Sequence, residues 1–274
     1  METAEEKDMR WAAGLEWSEA AYWSKLYENN SGLRSKIMRG HGATAVALPE
    51  MDILAMNRVM GIGFEGLPDA KQIHQFIQFY EEAGSQRFFI QLSPLSPHYA
   101  LLRKLLMDNG FHHHNNWVKL IRGTQPTRRT YFPGLTVRRV KSGEAEVYGA
   151  MIFRSFGWED ERLIDWLAAS VGLPDYQHHF VCEQGLPIAA SALHLEKKFG
   201  AMAFAATVPE HRGKGAQNLL LQMRIERAIE LGAKYLHSET AEPSEEKPVA
   251  SYRNMLRAGF NPAYVRENWL YTFA

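Results

Sequence analysis

The segment VPEHRGKGAQ, residues 208–217, places an arginine and a lysine among small residues directly before an apolar run. The apolar residues recur at helical spacing, so we predict a helix that begins near Gly213. The first four N–H groups of a helix have no internal partner, and with the helix dipole they attract anions. Because Gly213, Gly215 and Ala216 have little or no side chain, a phosphate can approach this backbone closely. Arg212 adds a positive charge, so the predicted chemistry is anion binding; the alternative is an ordinary turn before an amphipathic helix.

A Walker P-loop is excluded for this segment. That loop needs a longer spacing between its glycines and a Ser or Thr after its lysine, whereas Gly215 follows Lys214 here.

Alternating strands and helices are predicted around the segment, which gives an α/β (α+β) fold. The predicted strands are residues 42–49, 57–63, 87–92, 116–121, 135–140, 178–183, 187–195, 200–208, 234–239 and 268–273. The predicted helices are residues 11–28, 69–84, 97–111, 143–156, 159–170, 213–231 and 248–260. Asp69 and Gly84 are predicted to cap the two ends of the second helix.

Three landmarks recur in the same order in the two halves of the chain, which indicates a duplicated unit. They are the pairs FYEEAGSQRFFI and AIELGAKYLHSE, DNGF and RAGF, and NNWVKLI and ENWLYTF, at offsets of 148 to 152 residues. The basic, proline-containing stretch at 123–134 has no periodic pattern and is predicted to be a linker. The predicted domains are therefore residues 1–122 and residues 135–274.

A second glycine-rich segment, GIGFEG at residues 61–66, lies between a predicted strand and a predicted helix, as in a dinucleotide-binding fingerprint. The next predicted strand, 87–92, is followed by Ser93 and not by the acidic residue that would bind a ribose. A dinucleotide-dependent oxidoreductase is therefore a distant alternative. By the repeat, 61–66 occupies the place of the other glycine segment, with Phe64 where Arg212 stands, and is predicted to be a decayed copy.

The glycine segment and the elements around it resemble the GNAT superfamily of N-acyltransferases. The family's loop pattern is Gln/Arg-x-x-Gly-x-Gly/Ala, and residues 212–216 match its first five places. Gln217 stands where the family prefers Gly or Ala, so its side chain either crowds a phosphate oxygen or donates to it. The helix that ends in RAGF, residues 257–260, also lies at the distance typical of the family. The resemblance covers about residues 136–273, whereas the first copy matches only in its order of elements and is expected to be degenerate.

The resemblance implies that each unit is a mixed, mostly antiparallel sheet flanked by helices and that the cosubstrate is acetyl-CoA or another acyl-CoA. The loop backbone would hold the pyrophosphate, and the preceding strand would splay from its neighbour to hold the pantetheine arm. The implied cofactor-binding residues lie on this strand, the loop and the last helix: Thr207, Val208, Arg212, Gly213, Lys214, Gly215, Ala216, Gln217, Ser251 and Asn254. The implied reaction is direct attack of an amine on the thioester in a ternary complex.

The usual catalytic positions of the family are changed in this chain. Members often have an asparagine at the start of the last helix and a tyrosine four places before its glycine, where this chain has Pro248 and Met255. Tyr252 is therefore the candidate acid for the leaving thiolate, with water as the alternative; its structural alternative is a core aromatic. Glu239, at the end of the strand 234–239, is the candidate general base, and its alternatives are a strand-end cap or a solvated charge.

The acceptor implied by the resemblance is an amine of a small molecule, an amino acid or a peptide. Trp158, Glu159, Asp160 and Trp166 lie in a region that commonly shapes the acceptor pocket in the family, but aromatic residues there are equally typical of a core. The loss of the usual acid favours a competing function, a non-catalytic acyl-CoA-binding sensor or scaffold.

Composition limits the class of protein. The 274 residues include 31 basic and 31 acidic side chains, so nucleic acid is not a favoured partner. The single cysteine, Cys182, excludes an intrachain disulfide. The N-terminus lacks an apolar signal region, and no apolar run approaches the roughly 18 residues of a membrane span, so we expect a cytoplasmic protein without a membrane partner. We also expect no metal, because the consecutive histidines at 112–114 cannot easily close on one ion and fit an exposed hairpin better.

Overall fold

A computed structural model describes residues 4–29, 32–246 and 248–273, and the side chains from residue 10 onward. The described residues form two compact units. The first unit lies within residues 1–28, 33–119 and 263–274, and the second within residues 29–32 and 120–262. Among the helices of the described residues, none has both the length and the hydropathy of a membrane span.

Helices and strands alternate along most of the chain, so the predicted mixed α/β class is confirmed. The helices are α1 (Ala4–Glu28), α2 (Ala70–Ala83), α3 (Tyr99–Asp108), α4 (Ala145–Ser155), α5 (Glu161–Ala168), α6 (Ala216–Glu230) and α7 (Ala250–Arg257). The strands are β1 (Lys36–Gly40), β2 (Ala43–Ala47), β3 (Arg58–Met60), β4 (Arg87–Leu92), β5 (His112–Arg122), β6 (Leu135–Arg139), β7 (Tyr176–Glu183), β8 (Leu186–Glu196), β9 (Phe199–Ala201), β10 (Ala205–Thr207), β11 (Tyr235–Ala241) and β12 (Asn261–Thr272).

Local sequence patterns predict the bounds of some elements correctly but do not predict others. Asp69 caps α2 in a capping box and Gly84 ends it in the left-handed conformation, as predicted. Strand β1 was not predicted, and the predicted strand 200–208 is divided into β9 and β10. The histidines at 112–114 are exposed but lie within β5 and not in a hairpin turn.

The first unit contains a sheet in the order β1-β2-β3-β4-β12-β5. Strands β3 and β4 are parallel, whereas β1 with β2, β2 with β3, and β12 with β4 are antiparallel. An apolar cluster of α2, α3 and the sheet forms the core, in which the rings of Tyr80 and Phe88 stack at 3.9 Å between centroids.

The last strand differs from the predicted domain boundaries. Strand β12 pairs with β4 from Glu267 opposite Leu92 to Thr272 opposite Arg87, and Trp269 belongs to the core of the first unit. The sequence predicted residues 135–274 as one domain, whereas this strand lies in the first compact unit. The difference arises because the partner of a strand depends on its register and buried face, which sequence order alone does not specify.

The second unit contains a sheet in the order β11-β9-β8-β7-β6, with β10 paired to β8. Strands β9 and β11 are parallel, whereas β6 with β7, β7 with β8, β8 with β9, and β8 with β10 are antiparallel. Helix α6 packs Ala216 and Leu220 against Val181 and Ile188 of this sheet. The start of α6 is thereby fixed close to the end of β10.

A buried ionic cluster joins α1 to three strands of the first unit. Glu19 contacts Lys119, its carboxylate lies 3.0 and 3.1 Å from two nitrogens of Arg266, and it lies 3.4 Å from Arg58. Glu16 accepts a hydrogen bond of 2.8 Å from Arg266. Burial alone would raise the pKa of the Glu19 carboxyl, but Arg266, Lys119 and Arg58 hold that pKa well below its usual value. The cluster therefore stabilises the ionised form of Glu19.

We predict that Glu19→Gln lowers the free energy of unfolding at pH 7 by about 3–5 kcal/mol, because it leaves buried cations without their shared anion. Since the pKa of Glu19 is depressed by folding, its contribution is full above the unfolded pKa of about 4.3 and is lost as the pH falls through the folded value. Urea denaturation of the wild type, Glu19→Gln and the exposed control Glu81→Gln measures the difference. A Glu19→Gln curve that coincides with the control at pH 7 would contradict the prediction.

Candidate functional site

One extra residue interrupts the pairing between β8 and its neighbours. Ala201 of β9 pairs with His194, and Ala205 of β10 pairs with Ser191. Four steps along one chain segment therefore match three steps along β8, which defines a β-bulge at residues 202–204.

The bulge also ends the contact with β11. The Ala192 N–H group donates to the carbonyls of Ala203 and Phe204 at 3.3 and 2.9 Å, and the Met202 N–H group donates to His237 at 2.8 Å. The register between β9 and β11 ends at His237 opposite Ala201, and β10 pairs with β8. Strand β10 and the second half of β11 therefore separate, as the resemblance implied.

The backbone of β10 presents alternate residues to this gap. The Val208 N–H group donates to Ile188, and the Phe204 carbonyl also bonds to β8. In an antiparallel ladder the residues between bonded pairs point their backbone groups the other way, which here are Ala205 and Thr207. The placement agrees with the prediction for Thr207, but the Val208 N–H group is already used within the sheet.

Arg224 ties α6 to the bulge. Its side chain is only 1% exposed, and its Nη1 donates to the carbonyls of Ala192 and Ala203 at 3.2 and 3.1 Å. Its Nε donates to Leu220 within the helix at 3.2 Å. Burial lowers the pKa of Arg224 to about 10, so it stays charged at neutral pH. The buried cation of Arg224 thus stabilises the bulge at which β10 separates from β11.

The glycine loop needs Gly213 and Gly215 because of the backbone conformation at these two positions. Gly213 and Gly215 have φ angles of 84° and 91°, in the left-handed region that side chains disfavour. Gly215 is the N-cap of α6 and has no side-chain cap. A Cβ atom on Gly215 would lie 2.3 Å from the ring of Phe132, whereas Gly213 has open space around it.

The start of α6 leaves amide groups available to a ligand. The Leu219 N–H group donates to the Gly215 carbonyl at 3.0 Å, the bond expected to open the helical ladder. The amides of residues 216–218 precede that bond and have no acceptor within the helix. They meet the requirement for anion binding at a helix N-terminus.

A cavity of about 490 Å³, here called the loop cavity, lies between the loop, β10, α7 and the end of α4. Its lining includes Arg212 and Arg257 but no aspartate or glutamate. The 53% exposed ring of Phe156 also lines it. The cavity is therefore suited to an anionic ligand that has an apolar part.

Eight of the twelve predicted site residues line the loop cavity: Thr207, Arg212, Gly213, Gly215, Ala216, Gln217, Ser251 and Asn254. The lining does not include Val208, Lys214, Glu239 or Tyr252. The structure thus brings most of the predicted cofactor residues together but neither of the two predicted catalytic residues.

Two side chains connect the loop to β10. Gln217 Nε2 donates to the Thr207 hydroxyl at 2.9 Å, and Arg212 Nε donates to the Thr207 carbonyl at 3.4 Å. The long side chain of Gln217, which departs from the family pattern, is therefore a donor that holds the strand end.

Lys214 is directed to a different group. Its Nζ lies 2.9 and 2.6 Å from the two carboxylate oxygens of Glu183, which also contacts His211 at 2.9 Å. The hydrogen bond from Lys214 is the main cause that lowers the pKa of Glu183. Lys214 thus contributes a surface ion pair beside the loop.

The candidate catalytic residues lie on the elements that border the gap. Glu239 is half-buried in β11, and Tyr252 is half-buried in α7. Met255, where the family has its tyrosine, is 7% exposed. Ser251 and Asn254 of α7 reach the lining of the loop cavity.

Some residues predicted to shape the acceptor pocket lie in the core, and others lie at the surface. Trp166 is fully buried in the core of α5, which favours the core alternative for this residue. Asp160 caps α5 and binds Arg162. Trp158 packs against Phe156, with ring centroids 5.7 Å apart, and so stays close to the loop cavity.

The glycine segment of the first unit is filled by protein side chains. A Cβ atom on Gly63 would lie 2.4 Å from Leu102 and 2.5 Å from Ser96, and the Ser96 hydroxyl donates to the Gly63 carbonyl. Gly61 lies against Trp17. Side chains of the first unit therefore occupy the space beside Gly61 and Gly63, whereas Gly66 has open space beside it.

Sequence reasoning missed Arg224, Phe132 and Phe156. Arg224 had a signal, because it falls inside the apolar stripe of α6 between Leu221 and Ala228, where a charged residue is unusual. The contact of Phe132 with Gly215 had no local signal, since the two residues are far apart in the chain.

No family model matches the chain, and no curated protein matches it. Several solved structures do. A GCN5-related N-acetyltransferase from Kribbella flavida is 18% identical with a TM-score of 0.65 and covers 93% of this chain and 95% of its own. A GCN5-related N-acetyltransferase from Sphaerobacter thermophilus is 14% identical with a TM-score of 0.57. The similarity covers 91% of this chain and 85% of that one.

A tandem GNAT protein from the clavulanic acid biosynthesis pathway is also similar over nearly the whole chain. It is 9% identical with a TM-score of 0.62, and the similarity covers 98% of this chain and 96% of that one. At these identities the similarity shows the fold. The chain therefore has the tandem GNAT fold that the glycine loop and the internal repeat predicted.

We predict that Arg224→Met lowers the free energy of unfolding by about 3 kcal/mol, because it removes the donor to buried carbonyls. Amide hydrogen exchange at Ala192 should accelerate, since the bulge loses its support. Arg227→Met is the matched control, because Arg227 lies on the same helix and pairs with Glu230. Unchanged exchange at Ala192 in Arg224→Met would show that the bulge does not depend on this side chain.

Proposed function

We propose that the second unit binds acetyl-CoA and that the protein transfers the acetyl group to an amine. The observation that carries this proposal is the loop cavity, in which amides at the start of α6, Arg212 and the free edge of β10 face one space. The tandem GNAT fold supports an acyltransferase role, and the cavity offers candidate groups for the pyrophosphate and the pantetheine arm of an acyl-CoA.

The pyrophosphate of the cosubstrate lies on the amides of residues 216–218 beside Arg212 in this proposal. The pantetheine arm continues along β10, where the backbone groups of Ala205 and Thr207 pair with its amides as an added strand would. The thioester then reaches the gap between β10 and β11. Ser251 and Asn254 are polar groups on the α7 side of the same cavity.

The proposed reaction is direct aminolysis of the thioester. The amine nitrogen attacks the thioester carbonyl carbon, a base accepts a proton from the nitrogen, and the carbon–sulfur bond breaks to release the CoA thiolate. Glu239 is the proposed base, through a water molecule because its side chain does not line the cavity. Tyr252 is the proposed acid that protonates the thiolate. In this proposal the acceptor is an amine of a small molecule, an amino acid or a peptide, and Phe156 and Trp158 contact it.

A second candidate function is a non-catalytic acyl-CoA-binding sensor. It is favoured by the buried Met255 at the position of the family's acid and by the absence of Glu239 and Tyr252 from the cavity lining. The two functions share the same binding site and differ in turnover.

We expect Arg212→Glu to lower the affinity for acetyl-CoA by at least about ten-fold, because a positive charge beside the proposed pyrophosphate site is replaced by a negative one. Isothermal titration measures the affinity. Arg253→Glu is the control, because Arg253 is exposed on α7 and outside the cavity lining. Equal affinities of the two variants would refute the placement of the pyrophosphate.

For turnover, we expect the wild type to release CoA thiol from acetyl-CoA when an accepted amine from a panel of small amines, amino acids and peptides is present. Tyr252→Phe should lower kcat by about a hundred-fold and leave acetyl-CoA affinity unchanged, because a general acid acts after binding. Tyr131→Phe, an exposed tyrosine outside the cavity, is the control. Saturable binding without thiol release across the panel would favour the sensor.

A further inference from the structure

The segment between β5 and β6, residues 123–134, is fixed against α6. Arg129 Nε lies 3.0 Å from Glu226, and the Thr130 N–H group donates to Gln222 at 2.9 Å. Phe132 packs on Gly215 at the start of the same helix. The linker therefore forms a fixed wall along α6.

This wall encloses a second cavity of about 500 Å³, here called the linker pocket, whose other sides are α6 and the end of α7. Its size is in the range of small-molecule sites. Arg122, Arg128 and Arg257 line it, and its lining contains no aspartate or glutamate. Three guanidinium groups without a lining carboxylate make the pocket strongly positive.

Arg122 is the unusual member of this set because it is buried. The side chain is 4% exposed, and one nitrogen donates to the Gln125 carbonyl. Its Nε and Nη1 have no hydrogen-bond partner in the part of the chain that the structure describes. The guanidinium carbon lies 5.9 Å from the centre of the Phe260 ring. Burial lowers the pKa of Arg122, but an arginine remains charged at neutral pH.

A buried cation with unused donors is costly unless an anion neutralises it. Other buried arginines have partners for their donors: Arg266 pairs with Glu16 in the first unit, and Arg224 donates to the carbonyls of Ala192 and Ala203 in the second. No carboxylate of the described residues pairs with Arg122. A ligand of the linker pocket would supply the missing anion, and Arg128 and Arg257 would share it.

We propose that the linker pocket binds a phosphate monoester through Arg122, Arg128 and Arg257. A planar guanidinium binds two phosphate oxygens at once, and three of them match the charge of close to −2 that a phosphate monoester carries at neutral pH. The asparagine side chains of Asn218 and Asn254 lie in the same lining and provide further donors.

The phosphate has two sources. Asn218, Asn254 and Arg257 line both the linker pocket and the loop cavity, so the two spaces adjoin. The first source is the 3′-phosphate of a CoA bound in the loop cavity, and this source rests on the function proposed above. The second is a separate phosphorylated small molecule, which would bind whether or not CoA does.

Isothermal titration with CoA, 3′-dephospho-CoA and adenosine 3′-monophosphate separates these sources. If the phosphate belongs to CoA, the wild type binds CoA at least ten-fold more tightly than 3′-dephospho-CoA, and Arg122→Met and Arg128→Ala each reduce that ratio. If the source is separate, adenosine 3′-monophosphate binds alone and saturably, and the same variants weaken it. Arg253→Ala is the control, because Arg253 is an exposed arginine on α7, the helix that also carries Arg257, and lies outside the lining of both cavities.

The proposal is overturned if CoA and 3′-dephospho-CoA bind equally and adenosine 3′-monophosphate does not bind. It is also overturned if Arg128→Ala, an exposed position that does not depend on core packing, leaves every affinity unchanged. Failure of the proposed CoA binding gives a different result, since CoA and 3′-dephospho-CoA then both fail to bind while adenosine 3′-monophosphate binds.

Discussion

The extra residue of the β-bulge at 202–204 is the constraint on which the candidate site of the second unit depends, because it separates β10 from β11. A regular hairpin would continue β9 into β10 and leave β11 paired along its whole length. With the bulge, β10 follows β8, while the pairing of β9 with β11 ends at His237, and the backbone edge of β10 faces a gap. An open edge inside a sheet exposes unpaired backbone groups, and a ligand that pairs like a strand satisfies them. The buried guanidinium of Arg224 bonds two of the carbonyls around this break and fixes it to α6.

Helix α6 carries both the arginine that bonds to the bulge and the amides at its own N-terminus. One element therefore positions both parts of the candidate site. Ala216 and Leu220 pack α6 onto the sheet, and the amides of residues 216–218 precede its first internal bond. The left-handed glycines allow the chain to turn from strand to helix within a few residues. The chain has no net charge, yet the cavity lining is positive because it contains arginines and no carboxylates. Local arrangement, and not overall composition, makes this lining positive.

Sequence alone predicts the features that depend on neighbouring residues. The capping box of α2, the strand β4 and the glycine loop each have a signature within a few positions. The bulge, the pairing of β12 and the contact of Phe132 with Gly215 depend on residues far apart in the chain, for which one sequence gives no pattern. The candidate site divides in the same way. Its cofactor residues follow a local motif and converge on one cavity, whereas the catalytic candidates rest on register and lie outside the lining.

The two glycine segments differ in the side chains that lie beside Gly63 and Gly213. Both have left-handed glycines between a strand and a helix, so the backbone turn is common to both. In the first unit Ser96 and Leu102 occupy the space beside Gly63, and the loop is part of the packing. In the second unit Gly213 has open space beside it. To reopen the first loop, several packed side chains would have to change together, each at a cost in stability, whereas one large residue at Gly213 could close the second. This difference in packing favours the second unit for the acyl-CoA binding that we propose.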